Sequence, residues 1–289
     1  MSKNPFHAFD RLGNIAIVKF SRGVKSGDKK QFAKKILHDN PSVKTVLEKI
    51  GKFQGRLRKQ KTKFLLGEKT KEVLYRENGC VFRFNADSSY FSPRLSNERK
   101  EIAGKIKKSD EVLVMFAGVA PFSIVIAKNS KAKKIVSVEI NREATKYAKM
   151  NVELNKLKNK IEVVQGNVKN FVKKLSSSHH PLHLPQKSKK GNIHTELQGL
   201  NKIPKKYDVI VMPRPQLKES FLKEAFSLSK RGTRVFYYDF VLDSERDKIL
   251  DKIKTEAKKS RKKIKIIGFK NAGEIGKRKF RVRVDFIVN

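Results

Sequence analysis

Val112 to Ser130 reads "VLVMFAGVAPFSIVIAKNS". An apolar run closes in a glycine-bearing turn, and the periodicity then changes to that of a helix over "FSIVIAKNS". An apolar run of this length bounded by turn residues is a buried strand. The question it raises is whether the turn is a ligand loop or only a tight bend.

The surrounding pattern repeats the same unit. Upstream, "SNERKEIAGKIKK" reads as a helix with Ser96 at its N-cap and Arg99 in its first turns. Downstream come the strand "KIVSVEI", the helix "REATKYAKMNVELNKL" and the strand "KIEVVQGNV". The pattern resumes later with the strand "YDVIVMP", the helix "LKESFLKEAFSLS", the strand "GTRVFYYDF" and the helix "DSERDKILDKIKTEAKKS". Alternation of this length implies a parallel sheet with right-handed crossovers, an α/β fold. The final "KKIKIIGFKNAGEIGKRKFRVRVDFIVN" reads as two antiparallel strands around a glycine-containing loop.

Before this unit the organisation differs. "DRLGNIAIVKF" reads as a strand, and residues 29–50 carry Phe32, Ile36, Leu37, Val43, Val46, Leu47 and Ile50 at helical spacing. "GKFQGRLRKQKTKFLLGE" and "KEVLYRENGCVFRFNADSSYF" read as short strands, with Asn78-Gly79 as a hairpin turn. The expected division is a small α+β domain over residues 1–86 and a larger domain over 87–289. The larger one is interrupted at 176–206, a polar, proline-bearing stretch read as a flexible insertion. That stretch holds His179, His180, His183 and His194, with no cysteine beside them, so no metal site is expected.

Composition narrows the partner. The chain of 289 residues has 68 Lys+Arg against 28 Asp+Glu, a formal net charge of +40. A field of that size favours a polyanion, foremost nucleic acid, over an anionic membrane surface or a simple solubility adaptation. A hydrophobic fraction of 38% supports a real core. Cys80 is the only cysteine, which excludes an intrachain disulfide and a cysteine metal site and fits a reducing, cytoplasmic compartment. No apolar signal core or run approaching the ~20 residues of a membrane span is present. A monomer is expected, since no helix reads as a dimer seam.

Ligands of an open parallel sheet bind beyond the carboxyl ends of its strands. The opening turn lies at such an end, where Phe116, Ala117 and Gly118 let the backbone approach a ligand; the second glycine of a GxG loop is replaced by Ala120. The next strand ends in Glu139 and Ile140, about twenty residues on, where a carboxylate suits two ribose hydroxyls. The strand after that leads into Asn167 and Val168, where an amide suits an adenine edge. No GxxxxGK[ST] phosphate loop is present. The set suits S-adenosylmethionine, which has no phosphate, better than a nucleotide.

With those residues in place, the α/β sheet closed by an antiparallel pair resembles the class I methyltransferase layout. More specifically, "DRLGNIAIVKF", "GRLRKQKTKFLLGE", "YRENGCVFRFNADSSYFSPRLSNERKEIA", "MFAGVAPFSI" and "SVEINREATKY" resemble the archaeal and eukaryotic-type tRNA (guanine-37 N1)-methyltransferases over nearly the whole chain. "YFSPRLSNER" is the most specific stretch. The resemblance implies methyl transfer to N1 of guanine 37 in the tRNA anticodon loop, without the further N-terminal elbow-binding domain that archaeal relatives often carry. It implies Glu98 as the base for the N1 proton and Arg58 as the cation near O6. It also implies that Tyr90, Arg94 and Arg99 line the cofactor and target pocket. Lys59, Lys61 and Lys63 would grip the anticodon stem-loop, and the guanine would flip into the pocket.

Two positions depart from the family pattern. Val114 stands where an Asp is usual, and "MPRP" stands for an "NLP"-like stretch, with Pro213 in place of the base-holding Asn and Pro215 keeping the last position. Arg214 would replace that Asn or bind a phosphate. The departures keep two alternatives open: a wybutosine-pathway aminocarboxypropyl transferase on tRNA, and a catalytically degenerate RNA-binding protein.

Overall fold

The computed structural model describes residues 9–55, 57, 59–177, 203–214, 219–276 and 278–289. Arg58, Pro215 and the four histidines of the 176–206 stretch lie outside the described residues.

A four-stranded sheet comes first: β1 (Phe9–Leu12), β2 (Ile15–Val18), β3 (Thr45–Gln54) and β4 (Lys59–Gly67), in that spatial order. Helix α1 (Ser26–Asp39) crosses from β2 to β3, which run parallel, and buries Ala33 and Ile36 against Ala16, Val18, Val43 and Val46. The helical spacing read over 29–50 therefore holds only to Asp39. Asn40 precedes Pro41, whose ring disfavours helical backbone in the residue before it; Asn40 sits at φ −133° and the chain turns into β3.

The hairpin β5 (Glu72–Glu77) and β6 (Cys80–Asn85) turns at Asn78 (φ 48°) and Gly79 (φ 71°), as that dipeptide demands. Its free edge is satisfied by a helix. Asn151 and Asn155, one turn apart on α4 (Arg142–Leu154 and its C-cap), each accept a backbone N–H from β6 and donate to a carbonyl of the same strand. Two side-chain amides replace the neighbouring strand.

The second sheet has seven strands in the order β12-β13-β11-β10-β7-β8-β9. β7 (Glu111–Met115), β8 (Lys134–Glu139), β9 (Ile161–Gln165) and β10 (Tyr207–Met212) are parallel, as is β11 (Ser229–Leu242) to β10. β12 (Ile264–Gly276) and β13 (Lys279–Val288) are antiparallel. The expected α/β sheet with a terminal antiparallel pair is thus the observed one. Helices α2 (Ser96–Gly104), α3 (Pro121–Asn129) and α4 pack on one face; α5 (Val168–Ser177), α6 (Leu222–Ser227) and α7 (Arg246–Lys259) pack on the other. Val114 is fully buried in the first of these cores.

Two local readings shift. Ser96 is the first residue of α2 rather than its N-cap, because a 3-10 turn over Pro93–Leu95 leads into the helix, and its hydroxyl bonds Asn78 instead. The helix read over "LKESFLKEAFSLS" shortens to α6, which Phe221 starts in a left-handed conformation, and β11 begins at Ser229. The order of strands reverses between β7 and β10, which opens a crevice at their carboxyl ends. β11 overruns that rim: its Tyr237 pairs with Met212, the last residue of β10, and β11 continues to Leu242, roughly 16 Å further at ~3.3 Å per residue.

Candidate functional site

The turn after β7 has unusual backbone. Phe116 (φ 57°), Gly118 (φ 59°) and Ala120 (φ 65°) are all left-handed. Gly118 takes this conformation freely, whereas a side-chain-bearing residue such as Ala120 pays about 1 kcal/mol for it. The Ala120 backbone adopts the glycine-like geometry although its glycine is missing.

The turn is held by Glu139 at the end of β8. Its Oε2 accepts the Gly118 N–H at 2.8 Å and its Oε1 accepts the Asn141 N–H at 2.7 Å. Asn141 in turn caps α4 by accepting from Glu143 and Ala144 N–H, and donates to the Ser88 carbonyl at 2.9 Å. One buried carboxylate thereby fixes two strand ends and the start of a helix, and retains lone pairs on both oxygens.

Around it lies an open crevice lined by Leu57, Tyr90, Phe116, Gly118, Glu139, Asn141, Ala144, Pro213 and Arg214. A second, shallower depression shares Phe116 and Arg214 and adds Ile140, Gly166, Asn167 and Val168. The Asn167 side chain accepts the Lys169 N–H at 3.1 Å and so also starts α5. The crevice thus gathers Tyr90, Phe116, Gly118, Glu139, Ile140, Asn167, Val168, Pro213 and Arg214, all singled out in the sequence. Ala117 is buried behind them, its N–H bonded to the Val138 carbonyl. Among the described residues no group of three His, Cys, Asp or Glu is arranged to hold a metal ion.

Arg94 and Arg99 do not line these cavities. Arg94 is exposed, reaching Asp10 at 3.5 Å. Arg99 is 1% exposed: its guanidinium grips both oxygens of Glu77, donates to the Ser92 carbonyl at 3.1 Å and stacks near the rings of Phe91 and Phe122. It pins the Ser92–Leu95 turn to the β5–β6 hairpin.

Glu98, the neighbour of Arg99, is also buried but among different partners. Its Oε2 accepts from the Tyr238 hydroxyl at 2.8 Å and from Arg283 at 2.6 Å, and Lys270 lies 2.9 Å from its Oε1. Arg283 also bonds Glu101 at 2.6 Å and Asp285 at 2.7 Å, and Lys105 reaches Asp285 at 2.9 Å. Burial, reinforced by the Glu98 charge, holds the Tyr238 hydroxyl protonated far above its ordinary value. Burial opposes the charge of Arg283, but the Asp285 and Glu101 carboxylates overcome it and hold the guanidinium protonated. The register Met212↔Tyr237 puts Tyr238 one residue past the end of β10, beside Pro213 on the cavity rim. Glu98 lines neither cavity; its link to the crevice runs through Tyr238, level with Pro213 of the lining.

Tyr238, Lys270 and Arg283 were not found by motif. The available signal was "RVRVDF", where Arg281, Arg283 and Asp285 alternate with apolar residues: a strand whose charged face is buried. Lys59, Lys61 and Lys63 occupy the exposed alternate positions of β4, an edge strand, with Gln60 and Thr62 turned inward. No described helix is long and apolar enough to cross a membrane.

Residues 73–200 match the family described as TRM5/TYW2 methyltransferase domain, and residues 2–70 match the TYW2 N-terminal domain. The tRNA (guanine(37)-N(1))/4-demethylwyosine(37)-methyltransferase Taw22 of Nanoarchaeum equitans is 33% identical, over 96% of this chain and 98% of its own. The tRNA (guanine(37)-N(1))-methyltransferase Trm5b of Pyrococcus abyssi is 30% identical, over 98% of this chain and 75% of its own. The crystal structure of that Trm5b superposes with a TM-score of 0.77 over 97% of this chain and 74% of the other, at 29% identity. Pyrococcus horikoshii TYW2, at 20% identity and TM-score 0.74 over 98% of this chain and 91% of the other, shares the fold.

Proposed function

The chain belongs to the TRM5/TYW2 methyltransferase family, and from that membership we propose that it methylates N1 of guanine 37 in the tRNA anticodon loop. The observation that carries the proposal is Glu98, a buried carboxylate aligned by Arg283 and by Tyr238, which lies level with Pro213 of the crevice lining.

The crevice lining fits S-adenosylmethionine. Glu139 faces it with lone pairs for ribose hydroxyls, Asn167 adds an amide, and Phe116, Ile140 and Leu57 supply apolar walls. When bound, the cofactor supplies an electrophilic methyl group on sulfonium. The chain's own residues do the rest. Glu98 takes the N1 proton of guanine, which makes N1 nucleophilic; Lys270, 47% exposed and at its other oxygen, is the partner able to give way. Arg58, in the resemblance the cation near O6, would offset the charge that builds there. Arg214, at the junction of the two cavities, meets the target nucleotide from the side where Pro213 replaces the family amide. Lys59, Lys61 and Lys63 form the phosphate-gripping row of a small RNA-binding domain over residues 1–86.

Two further readings have observations behind them. The match of residues 2–70 to the TYW2 N-terminal domain favours aminocarboxypropyl transfer. The full-length likeness to the Nanoarchaeum protein favours a second methyl acceptor, 4-demethylwyosine. One experiment separates them. Purified protein is given tRNA carrying guanine or 4-demethylwyosine at position 37, with S-adenosylmethionine labelled separately in the methyl and the aminocarboxypropyl carbons. Methyl label in 1-methylguanosine is the expected result. Aminocarboxypropyl label, or no label in either tRNA, overturns it; methyl label in the tricyclic base alone reassigns the substrate.

A further inference from the structure

Strand β4 is tied to the crevice through Asp87. The strand alternates: Lys59, Lys61 and Lys63 face solvent, while Gln60 and Thr62 turn inward and are buried. The inward face docks on Asp87. The Gln60 N–H donates to the Asp87 carbonyl at 3.1 Å, and the Thr62 hydroxyl donates to Asp87 Oδ1 at 2.6 Å. The Lys71 ammonium pairs with Asp87 Oδ2 and also donates to the Thr62 carbonyl at 3.0 Å. Asn85 holds the turn from behind, its Oδ1 accepting the N–H groups of Asp87 and Ser88 at 2.9 and 3.1 Å.

Both arms of this joint end in the crevice lining. Leu57, just before β4, and Tyr90, just after Asp87, face each other across it. Between them the Ser88 carbonyl accepts from the Asn141 side chain, and the Asn141 backbone N–H donates to Glu139. Asn14, in the β1–β2 turn, also ties the small sheet to the hairpin through the Glu72 carbonyl and the Leu74 N–H, but it leads to no residue of the crevice. The Asp87 joint is also unlike the sealed pair of Arg99 and Glu77. Its Lys71 and Asp87 side chains are 37% and 25% exposed. An ion pair that open adds little stability; what the joint fixes is position.

Resting on the tRNA reading above, we propose that Asp87 is a positioning residue for methyl transfer. It sets the phosphate-gripping face of β4, and with it the Leu57 wall, in place relative to Glu139 of the cofactor crevice. RNA held on the lysine row arrives with the small sheet, whereas the methyl donor is held by the strand ends of the larger one. In-line transfer needs the two in register, and a misplacement of about 1 Å costs about 100-fold in rate. β4 is an edge strand with only β3 beside it in its sheet, so its outer edge depends on such a fixture.

The test uses the full chain. Asp87→Ala removes both side-chain ties, and Thr62→Val removes one at nearly constant shape. Single-turnover methyl transfer at saturating tRNA and cofactor slows by about 10- to 100-fold in Asp87→Ala and by less in Thr62→Val. The KM for tRNA and the affinity for S-adenosylhomocysteine stay at wild-type values, and Thr62→Ser, which keeps the hydroxyl, keeps the wild-type rate. A second readout needs no activity. Spin labels at His38→Cys on α1 and Lys149→Cys on α4, both exposed positions, report a distance across the joint, while buried Cys80 stays unlabelled. That distance is narrowly distributed in the otherwise wild-type chain and broad with Asp87→Ala. An unchanged rate or an unbroadened distance in Asp87→Ala overturns the proposal, as does a rate loss matched by lost S-adenosylhomocysteine affinity. If the wild type methylates no tRNA, the functional reading falls, and the distance alone decides: broadening upholds the joint and its absence overturns it.

Discussion

Glu98 and Arg99 are consecutive residues on one helix, both buried and both charged, yet their surroundings differ in kind. Arg99 has one acid, Glu77, gripped with both oxygens, sealed by the rings of Phe91 and Phe122. Glu98 has three donors from three strands, and one of them, Lys270, is 47% exposed. A closed pair has no partner to spare, so losing either member strands a buried charge. An oversupplied carboxylate can exchange one partner for a substrate proton and remain held by the others. The first arrangement suits architecture, and the second suits chemistry.

Substitution tests that division, beginning with the largest effect. Glu98→Gln should slow single-turnover methyl transfer by about 10²- to 10⁴-fold while leaving the melting temperature little changed, because Arg283 keeps Glu101 and Asp285. A variant with wild-type turnover would move Glu98 into the same class as Arg99. Arg99→Ala should lose about 3–5 kcal/mol of folding stability in urea titration, with Glu77 left buried and unpaired. A loss below about 1 kcal/mol would mean that water or relaxation reaches Glu77, and the contrast would collapse. Replacing Lys270 with Ala should cost at most about 1 kcal/mol, as expected of a half-exposed partner.

The acid side of the stability curve sharpens the picture further. The hydrogen bond from Arg283, with help from Lys270 and Lys105, holds the Glu101 carboxyl down at about 2 from its ordinary 4.5. A carboxyl depressed by folding contributes stability that is complete above the unfolded value and is lost as pH falls. Glu101→Gln should therefore flatten the decline between about pH 4.5 and 2, read as the slope of unfolding free energy against pH. An unchanged slope would assign the decline to other carboxyls. The smallest effect is expected at Ala120→Gly. Relief of the left-handed strain, about 1 kcal/mol, slightly exceeds the added flexibility of the unfolded chain, about 0.4–1 kcal/mol, for a net gain under about 0.6 kcal/mol in thermal unfolding.

The parallel sheet was legible because it is written locally: each strand and helix of the alternation carries its own periodicity. The strand-end residues followed, since position at a carboxyl end is itself a functional statement, and Glu139, Gly118 and Asn167 do converge on one crevice. What the sequence hid was pairwise and distant. Arg283 reaches Glu98 across 185 positions and Tyr238 across 140, and no spacing rule connects them. The motif that Arg99 shares with Glu98 does not say which way each side chain turns. On a helix, consecutive residues point about 100° apart, which sends Arg99 to the hairpin and Glu98 to the sheet. Asn151 and Asn155 look like ordinary polar helix residues until the open edge of β6 is placed beside them.

The position of β13 has a consequence for how the protein comes into being. It follows every other strand in sequence, yet it lies between β12 and β11 in space and delivers the guanidinium that grips Glu98. During synthesis the earlier sheet can assemble while two strand edges wait, unfilled, for an insert still to be made. Pairings this remote in sequence form slowly, and open edges are where nascent chains go astray. A ribosome that stalls before β13 releases a chain with most of its fold in place but with Glu98 missing its guanidinium clamp. The Glu98 clamp is incomplete until that strand closes the sheet.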